Sequence, residues 1–193
     1  MIDSYFRNSY QTIAVDPIVN VTAKRGVTPT VITICGLIVG LGIIPSLAWH
    51  HSFAAVILLL TSGYLDTLDG SIARATNTSS PKGTVLDILC DRIVEFGIIL
   101  GLFLAEPERG LACLLMLGSV LVCVTSFLVV GIFSENNSNK SFHYSPGLME
   151  RTEAFILFAL MILMPQYFHI LGILFTCLVM LTAIIRIYQF QKH

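Results

Sequence analysis

The sequence predicts an all-α integral membrane protein, six transmembrane helices preceded by an N-terminal interfacial amphipathic helix. Three observations carry that prediction. Hydrophobic residues make up 55% of the 193 and charged residues only 12%, with a mean hydropathy of +0.81, about half the charged fraction of a soluble domain. The charges are not spread but gathered between long uncharged runs, and nearly all the basic ones fall at one end of the helical layout. A water-soluble enzyme is excluded by this balance. A net charge of −1 lacks the basic footprint of a nucleic-acid binder, so no nucleic-acid partner is expected, and the hydrophobicity excludes disorder.

The elements follow in order. In residues 1–25, Tyr5, Phe6, Tyr10, Ile13, Ile18 and Val21 interleave with polar side chains, as in a helix lying in the membrane interface. A hydrocarbon core about 30 Å thick needs roughly 20 apolar helical residues, and residues 31–49 supply the first such run. His50 and His51 mark a turn. A second run starts at Phe53, turns polar at Asp66 and keeps a helical pattern to about Arg74. The third mirrors it, polar over residues 84–95 and apolar to Ala105. A charged turn over residues 106–110 leads to a fourth span, residues 111–133. Residues 134–146, rich in Asn and Ser, read as a solvated loop. The last uncharged stretch is too long for one span, and Pro165-Gln166 divides it into helices near residues 148–164 and 167–190. Residues 26–193 thus form one six-helix bundle, and the whole chain one domain.

Sidedness comes from the cations. Arg7, Lys24, Arg25, Arg74, Lys82, Lys140, Arg151, Arg186 and Lys192 share one end of this layout, Arg92 lies about two turns inside it, and Arg109 alone falls at the other. Cytoplasmic loops hold the excess of Lys and Arg, so both termini are predicted to be cytoplasmic. The five cysteines are odd in number, lie in apolar stretches and lack zinc or disulfide spacing. They read as small buried hydrophobes.

Ionisable groups inside a membrane segment are costly and functional by default. Asp66 and Asp69 are spaced i, i+3, and Gly70, Ala73 and Arg74 continue their stripe; Gly83, Asp87 and Asp91 form another stripe on the next helix. The turn between the helices brings all four carboxylates to similar depth. A divalent cation relieves their repulsion, and an all-oxygen set without His or Cys favours Mg²⁺ or Mn²⁺ over zinc. Gly70, Ala73 and Gly83 leave room for a ligand against the backbone, and Arg74 suits a phosphate. Taken singly, each feature is also compatible with structural ion pairs, helix packing or a cation pathway. Together they form Asp66-x2-Asp69-Gly70-x2-Ala73-Arg74-x8-Gly83-x3-Asp87-x3-Asp91, eight fixed positions over 26 residues.

That string resembles the full motif of the CDP-alcohol phosphotransferase family at every position, and the six-span layout resembles the family over the chain's length. The resemblance implies transfer of a phosphoalcohol group from a CDP-linked donor, commonly CDP-diacylglycerol, to the hydroxyl of a second alcohol, with release of CMP. It implies two metal ions, Mg²⁺ or Mn²⁺, surrounded by Asp66, Asp69, Asp87 and Asp91, with Asp91 as base. It places Asp66, Asp69, Gly70, Ala73, Arg74, Gly83 and Asp87 around the cytidine diphosphate, and it implies a homodimer in the lipid bilayer.

Acceptor choice must lie outside the shared motif. Residues 147–151 and 183–188 look like stretches of the phosphatidylinositol-phosphate and archaetidylinositol-phosphate synthase branch, where arginines hold the inositol phosphate; by that likeness Arg151 and Arg186 bind the acceptor. Arg186 snorkelling to headgroups and an Arg151 pair with glutamate are the structural alternatives. The basic residue that branch carries soon after the fourth span is missing from residues 131–136, and Lys140 is the substitute candidate. Inositol, glycerol 3-phosphate and serine stay open as acceptors. Glu95, one turn below Asp91, is open between acceptor contact and a pair with Arg92. The reading from another class is a divalent-cation transporter, but the third helix below Glu95 is wholly apolar, a dead end for an ion.

Overall fold

The computed structural model describes residues 15, 17–19, 22, 26–134 and 147–192. They are helical with short turns, without strand among the described residues, and fall into two compact units, Met1–Ala105 and Glu106–His193. The first holds α1 (Pro29–Leu41), α2 (Ile43–Ala48), α3 (Ser52–Ala75) and α4 (Pro81–Ala105); the second holds α5 (Gly110–Phe133), α6 (Arg151–Leu163) and α7 (Phe168–Gln191).

Among the described residues, four helical stretches are long and apolar enough to cross a membrane: Pro29–Ala48, Ser52–Ala75, Pro107–Phe133 and Pro165–Gln191. α4 has the length, but Asp87, Asp91, Arg92 and Glu95 interrupt its apolar character, and α6 has only 13 residues. The chain is an integral membrane protein.

The first span is interrupted where the sequence reads as one run. Pro45 has no N–H for the carbonyl of Leu41 and its ring crowds that carbonyl, so α1 stops at Leu41 and α2 restarts at Ile43. The N–H and the hydroxyl of Ser46 both donate to the carbonyl of Gly42, at 3.3 and 2.9 Å. α1 buries Thr33, Gly36 and Gly40, a single small-residue stripe. It lets α1 approach α3 and α4 closely, since a Cβ on Gly36 would lie 3.4 Å from the Leu65 Cβ and one on Gly40 only 2.5 Å from a Val94 methyl. Ser62 then donates to the carbonyl of Gly36 at 2.9 Å across the α1–α3 contact. α4 repeats the device: a Cβ on Gly101 would come within 2.9 Å of Leu47 and 3.3 Å of the Ile44 Cα. α3 and α4 each pack on α1 and scarcely on one another.

The turn between α3 and α4 is set by its residues. The N–H of Asn77 donates to the Arg74 carbonyl and that of Thr78 to the Ala73 carbonyl, with Asn77 in the left-handed region at φ 51°. These two bonds satisfy the last carbonyls of α3, and Asn tolerates that conformation better than most residues. Ser80 then caps α4, its hydroxyl accepting the Gly83 N–H at 3.2 Å, with Pro81 at the first helical position.

In the second unit α7 packs against α5 and α6. The predicted breaks appear as 3₁₀ turns at Pro107–Arg109 and Pro165–Tyr167. Arg109 is buried there, pairing with Glu106 at 2.9 Å and lying 4.5 Å over the Phe168 ring. α6 starts three residues later than the sequence suggested. The N–H of Met149 is taken by the Thr182 hydroxyl at 2.9 Å, and Gly147 presses on Thr182 so closely that a Cβ would sit 2.4 Å from its methyl. That docking holds residues 147–150 out of the helix.

Most of the leader expected to be interfacial lies outside the described residues. Val15 and Val19 are buried against Leu68 and Ile72 of α3. The loop expected over residues 134–146 also lies outside the described residues, apart from Ser134. The cysteines are free thiols; Cys90 and Cys113 are buried, but Cys35 and Cys177 are exposed, on helices whose outer faces are apolar, so the expectation of uniform burial is corrected.

Candidate metal and substrate site

Asp66 and Asp69 stand on α3, one turn apart, and Asp87 on α4 two turns after its capped start. Each of the three offers a carboxylate oxygen, and these oxygens all lie within 4.8 Å of one another. Asp69 is buried, while Asp66 and Asp87 are half-buried. Because α3 and α4 are held by α1 and not against each other, the carboxylates meet in the space between two helices. Three negative groups so close repel one another strongly in a partly dry site. A hard divalent cation fits such an all-oxygen donor set.

Asp91, one turn beyond Asp87, lies outside that group of three. Its carboxylate is 4.0 Å from the Arg92 guanidinium and its side chain keeps about a fifth of its surface exposed. Glu95 is buried and takes the Arg92 guanidinium at 2.7 Å; of the two roles left open by the sequence, the pair with Arg92 is the one observed.

The remaining motif residues line the same two helices. The Arg74 guanidinium lies over the Gly70 backbone, where a Cβ would meet it at 3.3 Å, and donates to the Ser71 hydroxyl at 3.0 Å. Ala73 is half-buried. Gly83 is exposed in the first turn of α4, with the Ser80 hydroxyl as the near neighbour of its missing side chain.

Sequence reasoning passed over Thr33. Its hydroxyl donates to the Asp69 carboxylate at 2.5 Å, from a different helix. The signal was present in Thr33-x2-Gly36-x3-Gly40, the small stripe on which α1 meets α3.

The acceptor candidates stand in the second unit. Arg186 is buried and donates to the Cys123 carbonyl at 3.1 Å and to the Ser126 hydroxyl at 3.2 Å, with its guanidinium 5.2 Å from the Phe127 ring centre. It turns into the protein and does not snorkel. A Cβ on Gly147 would meet the Arg186 guanidinium at 3.4 Å, so the guanidinium also borders the entry to α6. Arg151 is half-buried, its guanidinium 5.1 Å over the Phe155 ring. Lys140 lies outside the described residues.

Known proteins resemble this chain in sequence and in fold. The sequence profile of the family described as CDP-alcohol phosphatidyltransferase matches residues 26–187. Inner membrane protein YnjF of Escherichia coli K12 is 32% identical over 181 residues, 89% of this chain and 86% of that protein. Phosphatidylinositol phosphate synthase of Corynebacterium glutamicum is 29% identical over 161 residues, 81% of this chain and 71% of that enzyme. The crystal structure of Mycobacterium tuberculosis phosphatidylinositol phosphate synthase with CDP-DAG bound shares the fold, with a TM-score of 0.73 at 23% identity over 90% of this chain and 92% of that one. The same enzyme in complex with manganese and citrate gives a TM-score of 0.73 at 23% identity, covering 91% and 88%. The sequence motif and the matched span together show that this chain belongs to the CDP-alcohol phosphatidyltransferase family, as a membrane-embedded phosphotransferase of phospholipid biosynthesis.

Proposed function

We propose that the chain transfers a phosphatidyl group from CDP-diacylglycerol to the hydroxyl of a small polar alcohol, releasing CMP, with inositol phosphate as the leading acceptor. The observation that carries this reading is the meeting of Asp66, Asp69 and Asp87 within 4.8 Å, beside a glycine that leaves its backbone open under an arginine. Asp66, Asp69, Asp87 and Asp91 would hold two Mg²⁺ or Mn²⁺ ions, which when bound neutralise the pyrophosphate and the charge developing on the departing CMP.

The protein's own groups do the rest. Gly70, Ala73 and Gly83 leave the backbone of both helices approachable by the nucleotide, and Arg74 presents a planar donor set to phosphate. Asp91 has solvent access, and its carboxylate takes the proton from the acceptor hydroxyl as that oxygen attacks the phosphorus of the diacylglycerol phosphate. The bond from that phosphorus to the bridging pyrophosphate oxygen breaks, and CMP leaves. Arg151 and Arg186 serve the acceptor, the role that the family resemblance gives them. Manganese in the M. tuberculosis relative and the likeness to a phosphatidylinositol phosphate synthase support the metal and acceptor choices.

The same reading completes six crossings with α4 and α6, puts both termini and the site on the cytoplasmic side, lays residues 1–25 in the interface, and makes the chain a homodimer. The sidedness and the crossings rest on the one-sided cations and on α4 turning uncharged after Glu95, and the homodimer on the family resemblance alone. That uncharged half and the family membership leave the cation-transporter reading without support.

The test is incorporation of labelled acceptors into lipid by the purified protein with CDP-diacylglycerol and Mn²⁺. Inositol phosphate is expected to label the product, and inositol, glycerol 3-phosphate and serine to label it far less. Equal labelling by serine would overturn the acceptor choice, and no labelling by any of them the transferase reading for this donor.

A further inference from the structure

We infer that Thr33 is a positioning residue for the metal site, holding the Asp69 carboxylate in a ligating orientation from a helix that carries no ligand itself. The inference rests on the proposed metal role of Asp69.

The geometry is specific. Thr33 and Asp69 are 36 residues apart, and both are buried, at 8% and 5% exposure. The threonine hydroxyl has one hydrogen and two oxygens in reach, the carbonyl of Pro29 at 3.1 Å and Oδ2 of Asp69 at 2.5 Å. A threonine inside a helix ordinarily bonds back to the carbonyl four residues earlier. Here the nearer acceptor bears a charge, and a charge-assisted bond is roughly twice as strong as a neutral one. The hydrogen therefore goes to Asp69.

A carboxylate has about four lone-pair sites on its two oxygens, so one bond to Thr33 leaves capacity for a cation. What it removes is rotation. Partners of this kind behind metal-ligating groups typically change metal affinity by about 10- to 100-fold when lost.

The placement of Thr33 is built in. Thr33, Gly36 and Gly40 are the buried residues of α1, and the two glycines bring that helix close enough to α3 and α4 for a short hydroxyl to span the gap. The Ser62 bond to the Gly36 carbonyl fixes the register. Asp66 and Asp87 stand on the same two helices that α1 joins, so Thr33 orders the ligand nearest the α1 seam.

The test is Mn²⁺ binding to the intact detergent-purified protein, read from the resonance of free Mn²⁺, for wild type, Thr33→Val, Thr33→Ala and Thr33→Ser. Metal-free melting of each variant reports any loss of packing separately. Thr33→Val and Thr33→Ala are expected to bind Mn²⁺ about 10- to 100-fold more weakly, and Thr33→Ser, which keeps the hydroxyl, to stay within a few-fold of wild type. In CMP release the Mn²⁺ concentration for half-activation rises in Val and Ala while the rate at saturating Mn²⁺ stays near wild type. Wild-type affinity in Val or Ala would overturn the inference and leave the metal reading intact, and so would a Ser variant as weak as Val. Absence of Mn²⁺ binding by the wild type would instead overturn the metal reading, and this inference with it.

Discussion

Asp69 and Asp87 lie 18 residues apart on different helices, yet their carboxylate oxygens come within 4.8 Å. Helices α3 and α4 scarcely touch there, so the carboxylates face one another across a gap. Asp87→Asn keeps the shape of the side chain and removes one charge and one of the proposed anionic ligands. CMP release from CDP-diacylglycerol is expected to fall by about 10²- to 10³-fold, the typical loss for one preorganised electrostatic group. Chelation of the wild type should abolish release, and added Mn²⁺ restore it. Activity that survives exhaustive chelation would contradict the metal assignment.

Arg186 donates through one terminal nitrogen to both the Cys123 carbonyl and the Ser126 hydroxyl, and its planar guanidinium lies 5.2 Å from the Phe127 ring centre. Lysine offers a single ammonium at the end of a flexible stem. Arg186→Lys is therefore expected to raise the apparent KM for the acceptor by about tenfold or more while the KM for the CDP-linked donor stays put. A rise in the donor KM alone would move Arg186 out of the acceptor site.

A Cβ on Gly40 would lie 2.5 and 2.9 Å from the two methyls of Val94 and 3.0 Å from the Ser62 hydroxyl. Valine has little freedom to turn both methyls away. Gly40→Ala should cost about 1 to 3 kcal/mol, the usual penalty for overpacking, visible as a lower melting temperature in detergent. Pairing it with Val94→Ala opens the space again and should recover most of the loss. An unchanged melting temperature in the single variant would show that α1 and α4 are not tightly packed there.

Arg109 neutralises Glu106 and covers Phe168 at the end of the second unit. Its role is structural. Arg109→Met keeps much of the volume and loses the ion pair and the ring contact, each worth about 1 kcal/mol. Lower thermal stability is expected with no change in either KM. A selective loss of acceptor affinity would refute the purely structural assignment.

Much of the fold was legible because a membrane forces long apolar runs, and the turn residues interrupt them plainly. Pro107 and Pro165 start 3₁₀ turns where the sequence placed breaks, and Ser80-Pro81 caps α4 at the expected bend. The interruption at Gly42 was hidden, because Pro45 sits inside an apolar stretch that hydropathy alone reads as continuous. The Asp motif was legible from spacing, since carboxylates are so rare inside such runs. The contacts of Thr33 and Arg186 were not. Both depend on which helix faces which, and a threonine in an apolar helix looks like any other until its neighbour proves to be Asp69. Arg186 near a helix end fits snorkelling equally well until α5 is found beside it.

The most direct test of the central claim is CMP release from CDP-diacylglycerol by wild type and Asp91→Asn, in the same liposomes, with Mn²⁺ and saturating inositol phosphate. Donor binding should be retained in the variant, and its rate of release should fall by about 10²- to 10⁴-fold, the range for loss of a positioned general base. Equal rates of CMP release from wild type and Asp91→Asn would contradict it.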